Sequence, residues 1–304
     1  MWTKKGLLFK TDNYASIPCA FHLKDNLYRI YYSSRNPKNQ TQPYYIDSII
    51  DNGEIKLIGT ASTNPILDLG NIGTFDDSGI MPSSIIRNND EVWMYYIGWN
   101  PQITVSYRLS IGLAISRDGG ATFKKYSEGP LLDRSLSEPY FNTAPFVLKD
   151  NNIWKMWYIS CTGWVMDNGK TEPIYNVKYC ESSNGIDWVK NNITCIDYTD
   201  QIECIGRPYV LKHGETYEMY FSNRKKINYR NDKNSSYKIS NAVSKDGIHW
   251  SDYQMDILEY GEDWDQEMRE YCCVFKHKNY IYMIYNGNNF GKEGFGYAIK
   301  NINQ

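Results

Sequence analysis

Residues 280–288 read YIYMIYNGN, and close variants of that line occur four more times: LYRIYYSSR at 27–35, VWMYYIGW at 92–99, IWKMWYISC at 153–161 and TYEMYFSNR at 216–224. Aligned, Ile30, Met94, Met156, Met219 and Met283 share one column, at intervals of 64, 62, 63 and 64 residues. So even a period marks a structural repeat. The next two columns hold Tyr31, Tyr95, Trp157, Tyr220 and Ile284, then Tyr32, Tyr96, Tyr158, Phe221 and Tyr285. Aromatic and β-branched residues in such runs fit a strand packed on both faces.

Each phrase has the same company. About ten residues upstream lies a short apolar run (SIPCAFHL, IMPSSII, TAPFVL, GRPYVL, EYCCVF), and the polar stretch between reads as a hairpin loop. A third strand follows and ends in a turn phrase, SRDGGATF, SSNGIDW or SKDGIHW, whose glycine supplies a positive φ. NPILDLG (64–70) and GPLLDRS (129–135) read as fourth strands. Four antiparallel strands repeated five times predict an all-β, five-bladed β-propeller, a single domain over residues 1–304. The last repeat ends after its third strand, and GLLFK (6–10) resembles the fourth-strand phrases, so the N-terminal strand is expected to close the last blade.

Bulk composition narrows the partners. A formal charge of −2 over 304 residues gives no electrostatic reason to expect nucleic acid or an anionic membrane. No segment approaches 18 apolar residues, so no membrane span is expected. MWTKKGLLFKTD lacks the apolar run of a signal peptide, and seven scattered cysteines without a CxxC pair suit a reduced, cytoplasmic protein. Four dispersed histidines make no metal cluster; no cofactor is expected, although a channel cation such as calcium is compatible with the acids. Oligomeric state is not specified by anything in the chain.

In a propeller the loops entering the innermost strands ring one mouth. Counting back five residues from Pro82, Pro208 and Cys272 reaches Asp77, Glu203 and Glu267, with Asp76 and Glu270 beside them; Asp12 and Glu138 lie near the other two mouth positions. Paired carboxylates suit glycosidic cleavage, one protonating the leaving oxygen while the other acts as base or nucleophile. The competing structural account is that they cap loops or pair with cations. Arg207 and Arg269 lie among them and suit an anionic group or a carboxylate. Trp99 and Trp164 end second strands and suit a sugar ring, while Arg35, Arg224 and Asn288 share the Trp99 column.

FDDSGIMPS (75–83), MYYIGWN (94–100), SIGLAISRDGGATF (110–123), MWYISCTGW (156–164), GRPYVL (206–211) and YNGNNFGKEGFGYA (285–298) carry a resemblance over essentially the whole chain. The chain resembles the five-bladed propeller glycosidases of glycoside hydrolase families 43, 32 and 130, which hold arabinofuranosidases, xylosidases, invertases and mannoside phosphorylases. It looks closest to a branch found among bacterial surface-polysaccharide genes. The resemblance implies catalytic carboxylates within two residues before the first-strand proline, in the first three blades. Ile17, Met81 and Ala144 immediately precede Pro18, Pro82 and Pro145 here, so those roles do not transfer residue by residue.

The expectation is therefore a carbohydrate-active enzyme for a glycoside, a nucleotide sugar or another activated sugar in bacterial glycan metabolism. Asp77 would be base or nucleophile, Glu203 proton donor and Glu267 the third carboxylate, with Arg207 orienting the substrate. Two alternatives remain at this point. One is a non-catalytic glycan-binding propeller. The other is a glycosyl transferase or phosphorylase, for which Arg35, Arg207, Arg224 and Arg269 would supply cationic contacts.

Overall fold

The five aromatic phrases form the second strands of five four-stranded units in the computed structural model, which describes residues 1–199, 202–261 and 263–302. Strand β1 (Thr3–Phe9) precedes the first unit, built from β2 (Ser16–Lys24), β3 (Leu27–Arg35), β4 (Thr41–Asp51) and β5 (Glu54–Ile58). Unit two comprises β6 (Gly79–Asn88), β7 (Glu91–Pro101), β8 (Tyr107–Ser116) and β9 (Lys124–Lys125). Unit three comprises β10 (Asn142–Asp150), β11 (Ile153–Asp167), β12 (Lys170–Ser182) and β13 (Val189–Ile196). Unit four comprises β14 (Cys204–His213), β15 (Thr216–Arg224), β16 (Lys238–Ser244) and β17 (Ser251–Gln254). In unit five, β18 (Glu270–His277), β19 (Tyr280–Asn286) and β20 (Phe295–Asn301) are completed by β1, which pairs antiparallel with β20, Thr3 opposite Ile299. One parallel pair, Thr41 with Gly79, joins units one and two into a single sheet.

Two fourth-strand assignments need correction. NPILDLG contains no strand, and GPLLDRS makes only isolated bridges, from Leu132 to Ile111 and from Ser135 to Glu138. The outer strands precede them, at β5 and β9. Both phrases carry a proline at their second position, Pro65 or Pro130, which cannot donate to a ladder. Their apolar residues are nevertheless buried, as at Ile66, Leu67 and Leu132, so they pack as coil.

The second aromatic column explains how the units stack. Tyr31 Oη donates to the Gly120 carbonyl of unit two at 2.8 Å, and Tyr95 Oη to Gly185 of unit three at 2.8 Å. Trp157 Nε1 donates to Gly247 of unit four at 2.7 Å. These glycines have φ of +89°, +77° and +79°, and a Cβ on them would lie 2.2 Å from the Tyr31 hydroxyl, 2.8 Å from the Tyr95 hydroxyl and 2.9 Å from the Trp157 ring. Glycine alone satisfies both the backbone angle and the close approach. Gly185→Ala is accordingly expected to cost roughly 1–3 kcal/mol in a denaturant titration. Gly163→Ala, where a Cβ meets nothing within 4 Å, should change little.

The first strands β2, β6, β10, β14 and β18 are successive neighbours, and β18 returns to β2. Ser83 Oγ donates to the Pro145 carbonyl at 2.8 Å, the Tyr271 N–H to Ser222 Oγ at 2.9 Å, and the Ile17 N–H to Asn286 Oδ1 at 2.7 Å. All seven cysteines are buried and unpaired. Among the described residues no helix is long and apolar enough to cross a membrane.

Candidate functional site

Every first strand breaks register near its start. The breaks fall between Ser16 and Cys19, Pro82 and Ser84, Thr143 and Phe146, Gly206 and Tyr209, and Glu270 and Cys273. Four of these irregularities hold a non-glycine residue at positive φ: Ile17 (55°), Ala144 (47°), Arg207 (27°) and Tyr271 (53°). Such bulges re-aim a side chain, and strained backbone concentrates at functional sites. Here Ile17, Met81, Ala144, Arg207 and Tyr271, one from each unit, all line a cavity of about 730 Å³. They are the residues immediately before Pro18, Pro82, Pro145, Pro208 and Cys272.

The cavity walls are aromatic: Trp99, Tyr107, Tyr175, Tyr229, Tyr237 and Phe290 join Tyr271. Trp99 is fixed from two sides. Its Nε1 donates to Thr41 Oγ1 at 3.2 Å, and its indole lies where a Cβ on Gly79 would come within 1.7 Å. Arg35, Lys38 and Arg230 contribute cations to the lining, and among the described residues no Asp or Glu belongs to it.

Arg207 is 2% exposed and reaches the first strands of three other units. Its Nη1 donates to the Tyr271 carbonyl at 2.5 Å, and its Nη2 to the Pro18 carbonyl at 3.0 Å, the Ser83 carbonyl at 3.3 Å and Cys19 Sγ at 2.8 Å. Its Nε has no hydrogen-bond partner among the described residues. No carboxylate pairs with it among the described residues.

The acids expected at one mouth have separate employments. Asp76 is buried, accepts from Tyr96 Oη at 2.8 Å and pairs with Lys125 of β9 at 2.7 Å. The same arrangement recurs in two more units. Glu138 accepts from Tyr158 Oη at 3.0 Å and pairs with Lys190 of β13 at 3.2 Å. Asp265 accepts from Tyr285 Oη at 2.8 Å and pairs with Lys4 of β1. Each carboxylate thus ties a loop entering the first strand to the third-column tyrosine and to a lysine of the outermost strand. These three acids lie six or seven residues before the first-strand proline or its equivalent, and none of them lines the large cavity.

Asp77 closes its own turn, accepting from the Gly73 N–H at 2.9 Å and from Ser78 Oγ at 2.8 Å, although the next residue, Ser78, lines the cavity. Glu203 pairs with Lys225 at 2.9 Å and accepts the Lys226 N–H at 3.0 Å. Partial burial works to raise its carboxyl, but these two donors outweigh it and hold it below the usual range. A carboxylate kept ionised is poorly suited to the expected proton-donor role. Glu267 is exposed on a second cavity of about 270 Å³, which shares Tyr229, Arg230 and Phe290 with the first. The structure therefore does not bring Asp77, Glu203 and Glu267 onto one lining.

The remaining expected residues divide in the same way. Arg35, Trp99 and Arg207 line the large cavity; Trp164, Arg224, Arg269, Asn288 and Glu270 do not. Trp164 packs edge-on behind Tyr107 at 5.8 Å and Phe141 at 5.7 Å. Arg224 stacks on Tyr229 at 3.6 Å and donates to the Pro173 and Lys225 carbonyls and to Tyr237 Oη. Arg269 pairs with Asp256 at 2.8 Å and stacks on Tyr260. Asn288 holds its loop by accepting the Glu267 and Met268 N–H groups. Glu270 is wholly buried, and neither carboxylate oxygen has a hydrogen-bond partner among the described residues. Burial pushes it well above the usual carboxylate range, against the opposing pull of the Tyr271 hydroxyl and the Arg230 and Arg224 guanidiniums.

Several lining residues escaped the sequence reading. Tyr229, Arg230 and Phe290 come from irregular segments outside the repeat, where periodicity carries no signal. Glu172 fixes the Arg230 end of that wall, accepting from Arg230 Nε at 2.6 Å and Nη2 at 3.0 Å and from Tyr229 Oη. Burial works to raise the Glu172 carboxyl, but Arg230 and Tyr229 outweigh it and hold it below the ordinary range. The five residues at or next to the bulges did have a signal: they precede the first-strand prolines or the equivalent cysteine. Among the described residues no cluster of three or more His, Cys, Asp or Glu could hold a metal ion.

Comparison with known proteins places this geometry. The chain is 32% identical to the uncharacterised protein Rv1502 of Mycobacterium tuberculosis over 308 aligned residues, covering 98% of each chain. A solved glycoside hydrolase superposes with a TM-score of 0.73 at 18% identity, covering 99% of this chain and 91% of the other. A thermostable family-43 glycoside hydrolase gives 0.69 at 16% identity, with 98% and 92% covered. A glycosyl hydrolase from Bacteroides ovatus gives 0.66 at 14%, with 96% and 85% covered. These likenesses establish a propeller-type all-β fold. The sequence profile described as "Glycosyl hydrolases family 32 N-terminal domain" matches residues 65–289, most of the chain, and the protein therefore belongs to that family of the glycosidase superfamily.

Proposed function

We propose that the five units make one domain over residues 1–304 and close into a five-bladed propeller, and that its large cavity takes a glycoside or an activated sugar. Ring closure is supported by the return of β18 to β2 and by β1 completing unit five. The observation that carries the functional reading is convergence. One residue at or next to the first-strand bulge of every unit and six further aromatic side chains meet on a single cavity of about 730 Å³. That size suits a small ligand, and flat aromatic faces with a few polar groups suit sugar rings. The family match supports the same substrate class. Among the described residues the lining holds aromatic rings and cations but no carboxylate, and sugar recognition is the role that this geometry supports best.

A second reading is enzymatic, as hydrolase, transferase or phosphorylase, and Glu270 favours it. It is the one acid within two residues of a first-strand bulge, beside Tyr271 of the lining, and burial keeps it in the neutral form able to give a proton. The reduced cysteines support a cytoplasmic place in glycan metabolism. No cofactor enters this reading.

A thermal-shift panel of glycans and nucleotide sugars, with product analysis of each hit, tests both readings. A ligand at 100 times its Kd should add about 2.7 kcal/mol of stability, and Trp99→Ala should remove most of that gain. If no member of the panel raises the melting temperature, sugar recognition is wrong. Product formed by the wild type and abolished by Glu270→Gln supports catalysis there. Loss in Asp77→Asn, Glu203→Gln or Glu267→Gln instead would return the chemistry to those carboxylates.

A further inference from the structure

We propose that the ligand of this cavity carries a negative charge, as a sugar carboxylate or a sugar phosphate ester, and that Arg207, Arg35 and Lys38 recognise that charge. The inference rests on the carbohydrate reading above and names its substrate class. It starts from an imbalance of charge. Four cationic side chains belong to the lining, and only Arg230 is neutralised, by Glu172. Arg35 donates to the neutral Asn39 amide at 2.9 Å and lies over the Tyr14 ring. Neither Arg35 nor Lys38 makes an ion pair among the described residues.

Arg207 makes the case sharper, because its guanidinium is buried. Arginine stays charged in proteins, so the group cannot escape its environment by losing a proton. Main-chain carbonyls from three units solvate it as dipoles but leave its unit charge uncancelled. The cysteines around it do not supply an anion. Burial pushes the Cys19 and Cys272 thiols up to about 12 despite the pull of Arg207, and raises Cys273 as well. They remain neutral at physiological pH. A buried charge without a partner is the unusual element of this site, and a ligand anion is the partner that would complete it. The buried Nε–H finds no acceptor among the described residues, so the hydrogen bonds of the guanidinium are also incomplete. Arg35 and Lys38, exposed at the rim, would draw the anion in and make its binding sensitive to salt.

The test measures binding of glucuronate, galacturonate, glucose 1-phosphate, a uridine diphosphate sugar, their neutral parent sugars and inorganic phosphate by calorimetry at low and high salt. An anionic sugar should bind at least tenfold tighter than its neutral parent. The preference should shrink in high salt and in the Arg35→Gln/Lys38→Gln double variant, whose exposed side chains can be changed without disturbing the core. Arg207→Lys, which keeps a charge but loses the fork, should weaken the anionic sugar several-fold more than its parent. Uronates outscoring phosphate esters would assign the anion as a carboxylate, and the reverse as a phosphate. Equal binding of parent and anionic sugar would overturn the inference while leaving sugar recognition standing. Binding of inorganic phosphate with no sugar bound would keep the anion site and remove the carbohydrate. Binding of none would overturn both.

Discussion

Glu138→Ala should lower the free energy of unfolding by about 3–5 kcal/mol, the range for removing one partner of a buried ion pair. Glu138 is 1% exposed, and three groups donate to or pair with it: Tyr158 Oη, the Lys190 ammonium, and Asn142 Nδ2 at 2.6 Å. The truncation leaves a largely buried lysine and two polar groups facing a void. Urea titration at neutral pH measures the effect. The double variant Glu138→Met/Lys190→Met should recover part of the loss, because it removes both charges together. If the single variant costs under 1 kcal/mol, the staple is not a stability element, and the acid becomes available for another role.

The staples show why the repeat was legible and the site only partly so. Third-column tyrosines were visible as aromatic phrases, and two of the staple acids, Asp76 and Glu138, were noticed before the first strands, while Asp265 was not. What joins them is a lysine on the outer strand, four strands' distance along the sequence in units two and three and at the opposite terminus in unit five. Pattern alone cannot show that Asp76, Glu138 and Asp265 point outward along the sheet to Lys125, Lys190 and Lys4. Arg35, Trp99 and Arg207 were found because strand ends and bulges fall at fixed repeat positions. Tyr229 and Phe290 follow no repeat rule, so only coordinates place them on the same wall.

Trp157→Ala is expected to cost a further large amount, about 3–5 kcal/mol. The side chain is fully buried, packs against Tyr179, Phe146, Tyr217 and Trp250, and bridges unit three to unit four through the Gly247 carbonyl. Trp157→Phe separates the two contributions. It keeps most of the packing while losing the hydrogen bond, so a smaller loss near 1 kcal/mol is expected from that source. Denaturant titration of both variants decides between them. Equal losses would mean that the contact between units is dominated by the single N–H···O bond, contrary to the packing account.

The pairing of β1 with β20 sets a timetable for biosynthesis. Thr3 and Ile299 are almost 300 residues apart in sequence, and a ribosome adding about 5–20 residues per second needs roughly 15–60 s to deliver the partner. For that interval a nascent strand waits with its edge bare. Its two adjacent lysines, Lys4 and Lys5, and the irregularities at Gly6 and Leu7 are the features that discourage such an edge from recruiting a wrong neighbour.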